Sequence, residues 1–139
     1  MQTITPYLLY EDVESALDFL TRAFGFQETL RYSGTAGYIN HAEMAYGDGS
    51  IMMGDPGEDY RNPKRLGVAS VQIYVDVADV DATYERAKSV GAEIIEEPAD
   101  QEYGKRRFGA KDPEGHSWWF AQQISDVAPE DWGATPASK

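Results

Sequence analysis

A chain of 139 residues with 42% hydrophobic residues suits one domain, or two very small half-domains, with a core held by packing alone. The absence of cysteine excludes disulfides, thiolate nucleophiles and Cys-ligated metal centres. Twelve Lys and Arg against 24 Asp and Glu give a formal charge of −12, which repels a phosphate backbone and argues against a nucleic-acid partner. The same field favours a cationic small molecule, although acidity also serves solubility alone. No apolar run reaches the ~20 residues of a membrane span. The opening MQTITPYLLYEDVE lacks the basic start and cleavage site of a signal peptide, so the expected location is cytoplasmic, away from membranes.

Taken in chain order, Thr3 to Tyr10 is β-rich. Val13, Ala16, Leu17, Leu20, Ala23 and Phe24 then recur at helical spacing, with Asp12 placed as N-cap and Gly25 as terminator. Gln27 to Tyr32, Tyr38 to Tyr46 and Ser50 to Asp55 follow as short strands separated by SGTAG and GDGS. Asp55 to Leu66, with two prolines and no apolar period, reads as an exposed connector. The pattern then restarts. Val68 to Val75 is a strand, Asp79 caps a helix that ends at Gly91, and Glu93 to Glu97, Lys105 to Lys111 and His116 to Gln123 are three more strands. Gly25 and Gly91 lie 66 residues apart, as do Gly49 and Gly115, and the caps Asp12 and Asp79 lie 67 apart. A constant offset of this kind is what a duplicated βαβββ unit would leave.

The expected architecture is therefore α+β, with two tandem βαβββ modules forming a curved mixed sheet around a central cleft. The single domain would span 1–125, with module one at about 3–55, a connector at 56–67 and module two at about 68–124. A flexible tail would occupy 126–139, with Trp132 available to dock on the body. One helix covers one sheet face, so the uncovered faces make a trough. Strand alternation, carried across by the offset, aims Thr5, Tyr7, Leu9, His41, Glu43, Met53, Ser70, Gln72, Tyr74, Arg107 and Trp119 into it. Glu43 and Arg107 occupy comparable inward places with opposite charge and would neutralise one another. Left unpaired, Glu43 would act as a base or hold an amine and Arg107 would hold a carboxylate. Tyr103, in the loop DQEYGKRRF, would close over a ligand or simply stay exposed. His116, in the DPEG turn, reads as a structural hydrogen-bonding group. No phosphate-binding loop and no nucleophile elbow is present in the sequence.

The repeated unit, the helix DVESALDFLTRAFGF and the closing segment YGKRRFGAKDPEGHSWWF, together with HAEMAYGDGSIMMGD, resemble the vicinal oxygen chelate superfamily over about residues 3–124. That superfamily includes glyoxalase I, bleomycin-resistance proteins and extradiol dioxygenases, and the likeness is strongest to its small glyoxalase-like bacterial members. The resemblance implies a homodimer, and in metal-dependent members a divalent ion held from the first and last strand of each unit. Counting places those positions at Thr5, Met53, Gln72 and Trp119, of which only Gln72 offers a suitable oxygen. The expectation is thus a cleft without metal or other cofactor, lined by Met53 and Trp119, that binds an unidentified drug or metabolite and serves in antibiotic resistance or sequestration. Core filling between the units would explain the same two residues. The alternative is an enzyme: a metal-dependent lyase, isomerase or dioxygenase with unexpected ligands, such as an ion shared by His41, Glu43 and a third group, or a metal-free acid–base catalyst using Glu43.

Overall fold

The computed structural model describes residues 2–34 and 37–138. Its elements run β1 (Tyr7–Leu9), α1 (Val13–Phe24), β2 (Gln27–Ser33), β3 (Ile39–Tyr46), β4 (Gly49–Gly54), α2 (Pro63–Leu66), β5 (Gln72–Asp76), α3 (Val80–Ser89), β6 (Glu93–Asp100), β7 (Lys105–Lys111) and β8 (Ser117–Gln123). They form two four-stranded sheets of identical topology, β1-β4-β3-β2 and β5-β8-β7-β6. In each, the first strand pairs parallel with the last, and the other two pairings are antiparallel. The βαβββ unit is therefore present twice.

Both long helices start where side-chain chemistry tells them to. The Asp12 carboxylate accepts from Ser15 N and that of Asp79 from Ala82 N, satisfying N–H groups that the first helical turn cannot. α1 ends at Gly25, whose φ of 80° closes the helix. Arg86 of α3 then donates to the last carbonyls of α1, Arg22 O at 2.8 Å and Thr21 O at 2.9 Å. The helices are thereby bound to each other. Their apolar stripes meet the inner faces of both sheets in one shared core, where Phe24 packs on Phe120 with centroids 4.6 Å apart and on Trp118 at 5.5 Å.

Three local readings change. β5 begins at Gln72 rather than Val68, and Val71, just before it, is 67% exposed. Within the connector, Asn62 caps Arg65 N and Pro63 occupies the first helical position, so a single turn, α2, forms where no element was expected. β6 continues past Glu97 to Asp100, because it is an edge strand with an irregular register between Glu96 and Ala99 that accommodates Pro98. Beyond β8, a 3₁₀ turn at Pro129–Trp132 sets the Trp132 ring 5.6 Å from that of Tyr103.

A buried polar cluster joins the modules. Asp112, 5% exposed, accepts from Tyr10 Oη at 2.7 Å, Trp118 Nε1 at 3.0 Å, Glu114 N at 3.0 Å and His116 N at 3.1 Å. Glu114 in turn accepts from Glu11 N, Asp12 N and the Asn62 amide, and Glu11 accepts from Asn62 N and Arg65. The chain before α1, the connector and the β7–β8 turn are thus held together through carboxylates. Burial, then the neighbouring Asp112 charge and hydrogen bond, hold the Tyr10 phenol well above the ordinary tyrosine value. A folded value raised above the unfolded one means that this contribution is complete below about pH 10 and is lost as the pH rises further, at up to about 1.4 kcal/mol per pH unit. Alkaline urea titrations of wild type and Tyr10→Phe should converge in stability above pH 10. A constant difference would show that Tyr10 ionises freely.

Candidate functional site

Directly opposed residues of neighbouring strands share a face, so the register settles which side chains line the trough. In the first sheet one row runs Tyr7, Met52, Glu43, Leu30, and the next runs Leu9, Gly54, His41, Tyr32. In the second, one row is Tyr74, Trp119, Gly109, Glu96, and beside it lie Asp76, Ala121, Arg107 and Ala99. Tyr7, His41, Glu43, Gln72, Tyr74, Arg107 and Trp119 therefore stand where alternation placed them, and Thr5 precedes β1 with the same parity.

Met53 does not. It is 0% exposed, pairs with Ala42 and belongs to the core, while Met52 takes its place in the trough. The reason is turn length. Tyr46 pairs with Gly49 across the two residues Gly47 and Asp48, whereas Lys111 and Ser117 bracket a five-residue turn. Ser50 therefore corresponds to Ser117, not to His116, and a slip of one residue exchanges the faces of a strand. The expected Glu43–Arg107 pair is also absent. Each finds a partner within its own sheet.

Those partners give the uncovered faces of the two sheets different characters. On the first, Tyr7 Oη lies 2.8 Å from His41 Nδ1, and His41 Nε2 lies 3.1 Å from Glu43 Oε2. The Tyr7 ring reaches His41 by lying across Gly54, where a Cβ would sit 2.5 Å from the hydroxyl. On the second the Trp119 indole lies flat on Gly109, where a Cβ would come within 2.8 Å of the ring. The Arg107 guanidinium stacks on that indole at 4.8 Å from the centroid and reaches Glu96 only at 3.8 Å. Tyr74 is 50% exposed alongside, and burial raises its phenol above the ordinary value. Lys105 is bound to Asp76 at 2.9 Å. Tyr103 lies in the β6–β7 turn against Trp132.

Where the inner edges of the sheets approach, a hollow of about 320 Å³ is lined by Tyr7, Leu9, Tyr60, Val71, Ile73 and His116 among others, a volume within the range of small-molecule sites. His116 Nε2 lies 2.7 Å from Leu9 O, and Tyr60 Oη donates to the same carbonyl at 2.8 Å, so the histidine is structural. Burial, then the charges of Glu114 and Glu11, push Tyr60 up to about 12. A larger hollow of about 530 Å³ lies beneath the connector near Phe19 and Pro63; Tyr7 lines only the smaller one, and His41, Glu43, Tyr74, Arg107 and Trp119 line neither. Leu30, Tyr32, Met52, Gly54, Gly109 and Glu96 were missed. The period-two pattern of Gln27 to Tyr32 was the available signal for the first two.

A family model described as Glyoxalase/Bleomycin resistance protein/Dioxygenase superfamily matches residues 3–120. The chain belongs to this superfamily. Among solved structures, TioX from Micromonospora sp. ML1 is 34% identical with a TM-score of 0.74, over 89% of this chain and 100% of that one. A glyoxalase/bleomycin resistance protein from Streptomyces sp. CB03234 shares the fold at 22% identity and a TM-score of 0.62, over 85% and 100% of the two chains. The uncharacterized protein Rv0887c of Mycobacterium tuberculosis H37Rv is 32% identical over 98% of this chain and 83% of its own.

Some superfamily members carry a divalent ion, and the corrected register puts the corresponding positions at Thr5, Met52, Gln72 and Trp119. Hydroxyl, thioether, amide and indole form a poor donor set for such an ion, because none is anionic and the indole nitrogen has no lone pair to give. Among the described residues, no group of three or more His, Asp or Glu converges elsewhere. The residues at these positions do not fit a metal. Among the described residues no helix is long and apolar enough to cross a membrane.

Proposed function

We propose that this superfamily member binds a small planar molecule in its trough without a metal, sequestering a drug or metabolite. One observation carries the reading: Trp119 stands at the position that supplies an ion ligand in metal-dependent members, with its indole pressed flat on Gly109 and its stacking partner Arg107 reaching Glu96 only at 3.8 Å. Such a ring offers a planar guest about 0.5–1.5 kcal/mol beyond simple burial. The net charge of −12 agrees with a guest carrying positive charge, without defining it. A homodimer belongs to the same proposal, since Leu30, Tyr32 and Tyr38 expose apolar surface along β2 and the segment that follows it. Light scattering giving a monomer mass would remove that part.

The test is a thermal-shift series with planar aromatic probes. Binding should raise the melting temperature of wild type and fail to do so for Trp119→Ala, each variant being read against its own unliganded value because the indole is only partly exposed. Undiminished binding by Trp119→Ala would sink the reading. Addition of Ni²⁺, Zn²⁺ or Mn²⁺ should leave the melting temperature unmoved.

A second reading, metal-free acid–base catalysis, is favoured by the chain Glu43–His41–Tyr7. If Glu43 is ionised and His41 neutral, Nε2–H donates to Glu43 and Nδ1 accepts from Tyr7. The base that meets a substrate is then the Tyr7 oxygen, not Glu43 itself.

A further inference from the structure

The hollow of about 320 Å³ between the inner sheet edges has a chemistry unlike that of the Trp119 face. β1 and β5 each stand at the end of their own sheet, so no strand closes the gap between them. α2 buries none of its residues, and the run Val68 to Val71 that leads from it to β5 belongs to no strand. Leu66, Val68 and Val71, which line the hollow, are 62%, 64% and 67% exposed. Aliphatic side chains grouped in this way around a concavity offer their burial to an apolar body that enters it.

Most of the polar side chains along the hollow are already spent. Tyr60 Oη and His116 Nε2 both donate to Leu9 O, and Tyr7 Oη is engaged with His41 Nδ1. No carboxylate is among the lining residues, and the one permanent charge is that of Arg61. Its guanidinium donates through Nη1 to Glu58 O and Tyr60 O, at 3.2 Å each, which leaves Nε and Nη2 open. Among the described residues it forms no ion pair, whereas Arg65 of the same connector is bound to Glu11 at 2.6 Å. Glu11 senses the Arg61 charge, but its two oxygens are taken by Arg65 Nη1 and Asn62 N. In a chain where acidic residues outnumber basic ones two to one, a guanidinium without a carboxylate at the mouth of an apolar hollow is placed to receive one from outside.

We infer that this hollow is a second binding site, for an amphipathic monocarboxylate whose aliphatic body lies against Leu9, Val71 and Ile73 and whose carboxylate pairs with Arg61. The walls supply affinity without direction, and the single cation fixes which end of the ligand lies where and excludes an amine of the same shape. The site is independent of planar binding at Trp119, since neither Trp119 nor Arg107 lines it. The net charge of −12 opposes an anion only at long range, because at about 0.15 M salt it is screened beyond about 8 Å and the local pairing decides.

Octanoate, octylammonium, 1-octanol and acetate, titrated calorimetrically into the full chain below their micellar concentrations, separate head from body. Octanoate should bind about tenfold or more tightly than each of the other three. Arg61→Met keeps the aliphatic stem and should bring octanoate down to the affinity of octanol while leaving octanol unchanged. Arg61→Glu should turn the preference over to octylammonium, a reversal that loosening of the fold cannot produce. Trp119→Ala should bind octanoate as wild type does. Equal binding of octanoate and octylammonium by wild type overturns the inference, as does octanoate binding that survives Arg61→Met or is lost in Trp119→Ala. Failure of octanoate to bind overturns it outright, and a dimer in light scattering that Val71→Asp makes monomeric would then give the same rim to a second copy of the chain. Planar probes at Trp119 are scored separately, by their dependence on Trp119→Ala, so either site can fail without the other.

Discussion

Asp112→Ala should destabilise the protein by about 3–5 kcal/mol, more than any substitution in the trough. Both oxygens of this carboxylate are used twice, by Tyr10 and Trp118 on one and by the N–H groups of Glu114 and His116 on the other. Removing it leaves four donors in a place where water has little access, and each unpaired donor costs about 1–3 kcal/mol when the surroundings cannot relax. The β7–β8 turn would lose its organising acceptor, and Tyr10 would lose the contact that ties β1 to the second module. Urea melts should show the loss, with a fall in melting temperature of about 10–15 °C. Asp112→Asn supplies the internal comparison. It keeps the shape and one carbonyl oxygen, so the Tyr10 hydroxyl can turn round and accept while the Trp118 N–H is stranded, and its cost should be about 1–3 kcal/mol. An alanine variant within about 1 kcal/mol of wild type would mean that the cluster only accompanies a fold stabilised by its apolar core.

What the sequence discloses follows from the range of the interactions involved. α1 and α3 were legible because a cap, an apolar stripe and a terminating glycine are all set within a dozen residues, and the structure places Asp12, Asp79 and Gly25 in those roles. The faces of β1, β3, β5 and β8 were legible for the same reason, since alternation is local. Met53 was misplaced because the face of β4 depends on how many residues the preceding turn consumes. Gly49 had been matched with Gly115, but the turn of positive φ in the first module is made by Gly47, at 58°. The DPEG sequence announced a turn without announcing that Asp112 would receive a proton donor 102 residues away. Likewise, opposite charges at Glu43 and Arg107 suggested a pair, yet His41 lies two residues from Glu43 on one strand, and sequence gives no measure of the distance between the two sheets. The trough residues could be listed by parity. The chain Tyr7–His41–Glu43 and the seat of Trp119 on Gly109 needed the coordinates themselves.

Gly115→Ala should be strongly damaging, and the connector supplies its control. At Gly115 the backbone has a φ of +90°, and a methyl group would lie 2.5 Å from Lys64 N and 3.0 Å from Lys64 Cα. Those are main-chain atoms, and Lys64 N is already committed to Glu114 O at 2.9 Å, so nothing flexible can give way. Gly67 has a similar φ of +79°, but a methyl group there meets nothing within 4 Å. Gly67→Ala should therefore report the conformational penalty alone, about 1–2 kcal/mol. Gly115→Ala should add the steric displacement of the connector, for a total of about 3–4 kcal/mol. A second readout locates the damage. Arg61, Lys64 and Arg65 are tryptic sites, and once Lys64 is pushed from the turn they should be cleaved several-fold faster in Gly115→Ala than in Gly67→Ala under conditions where both stay folded. Equal stability and equal cleavage in the two variants would show that the close approach of connector and turn does not constrain the protein in solution. The Asp112 cluster would then have to hold the modules together without the connector's help.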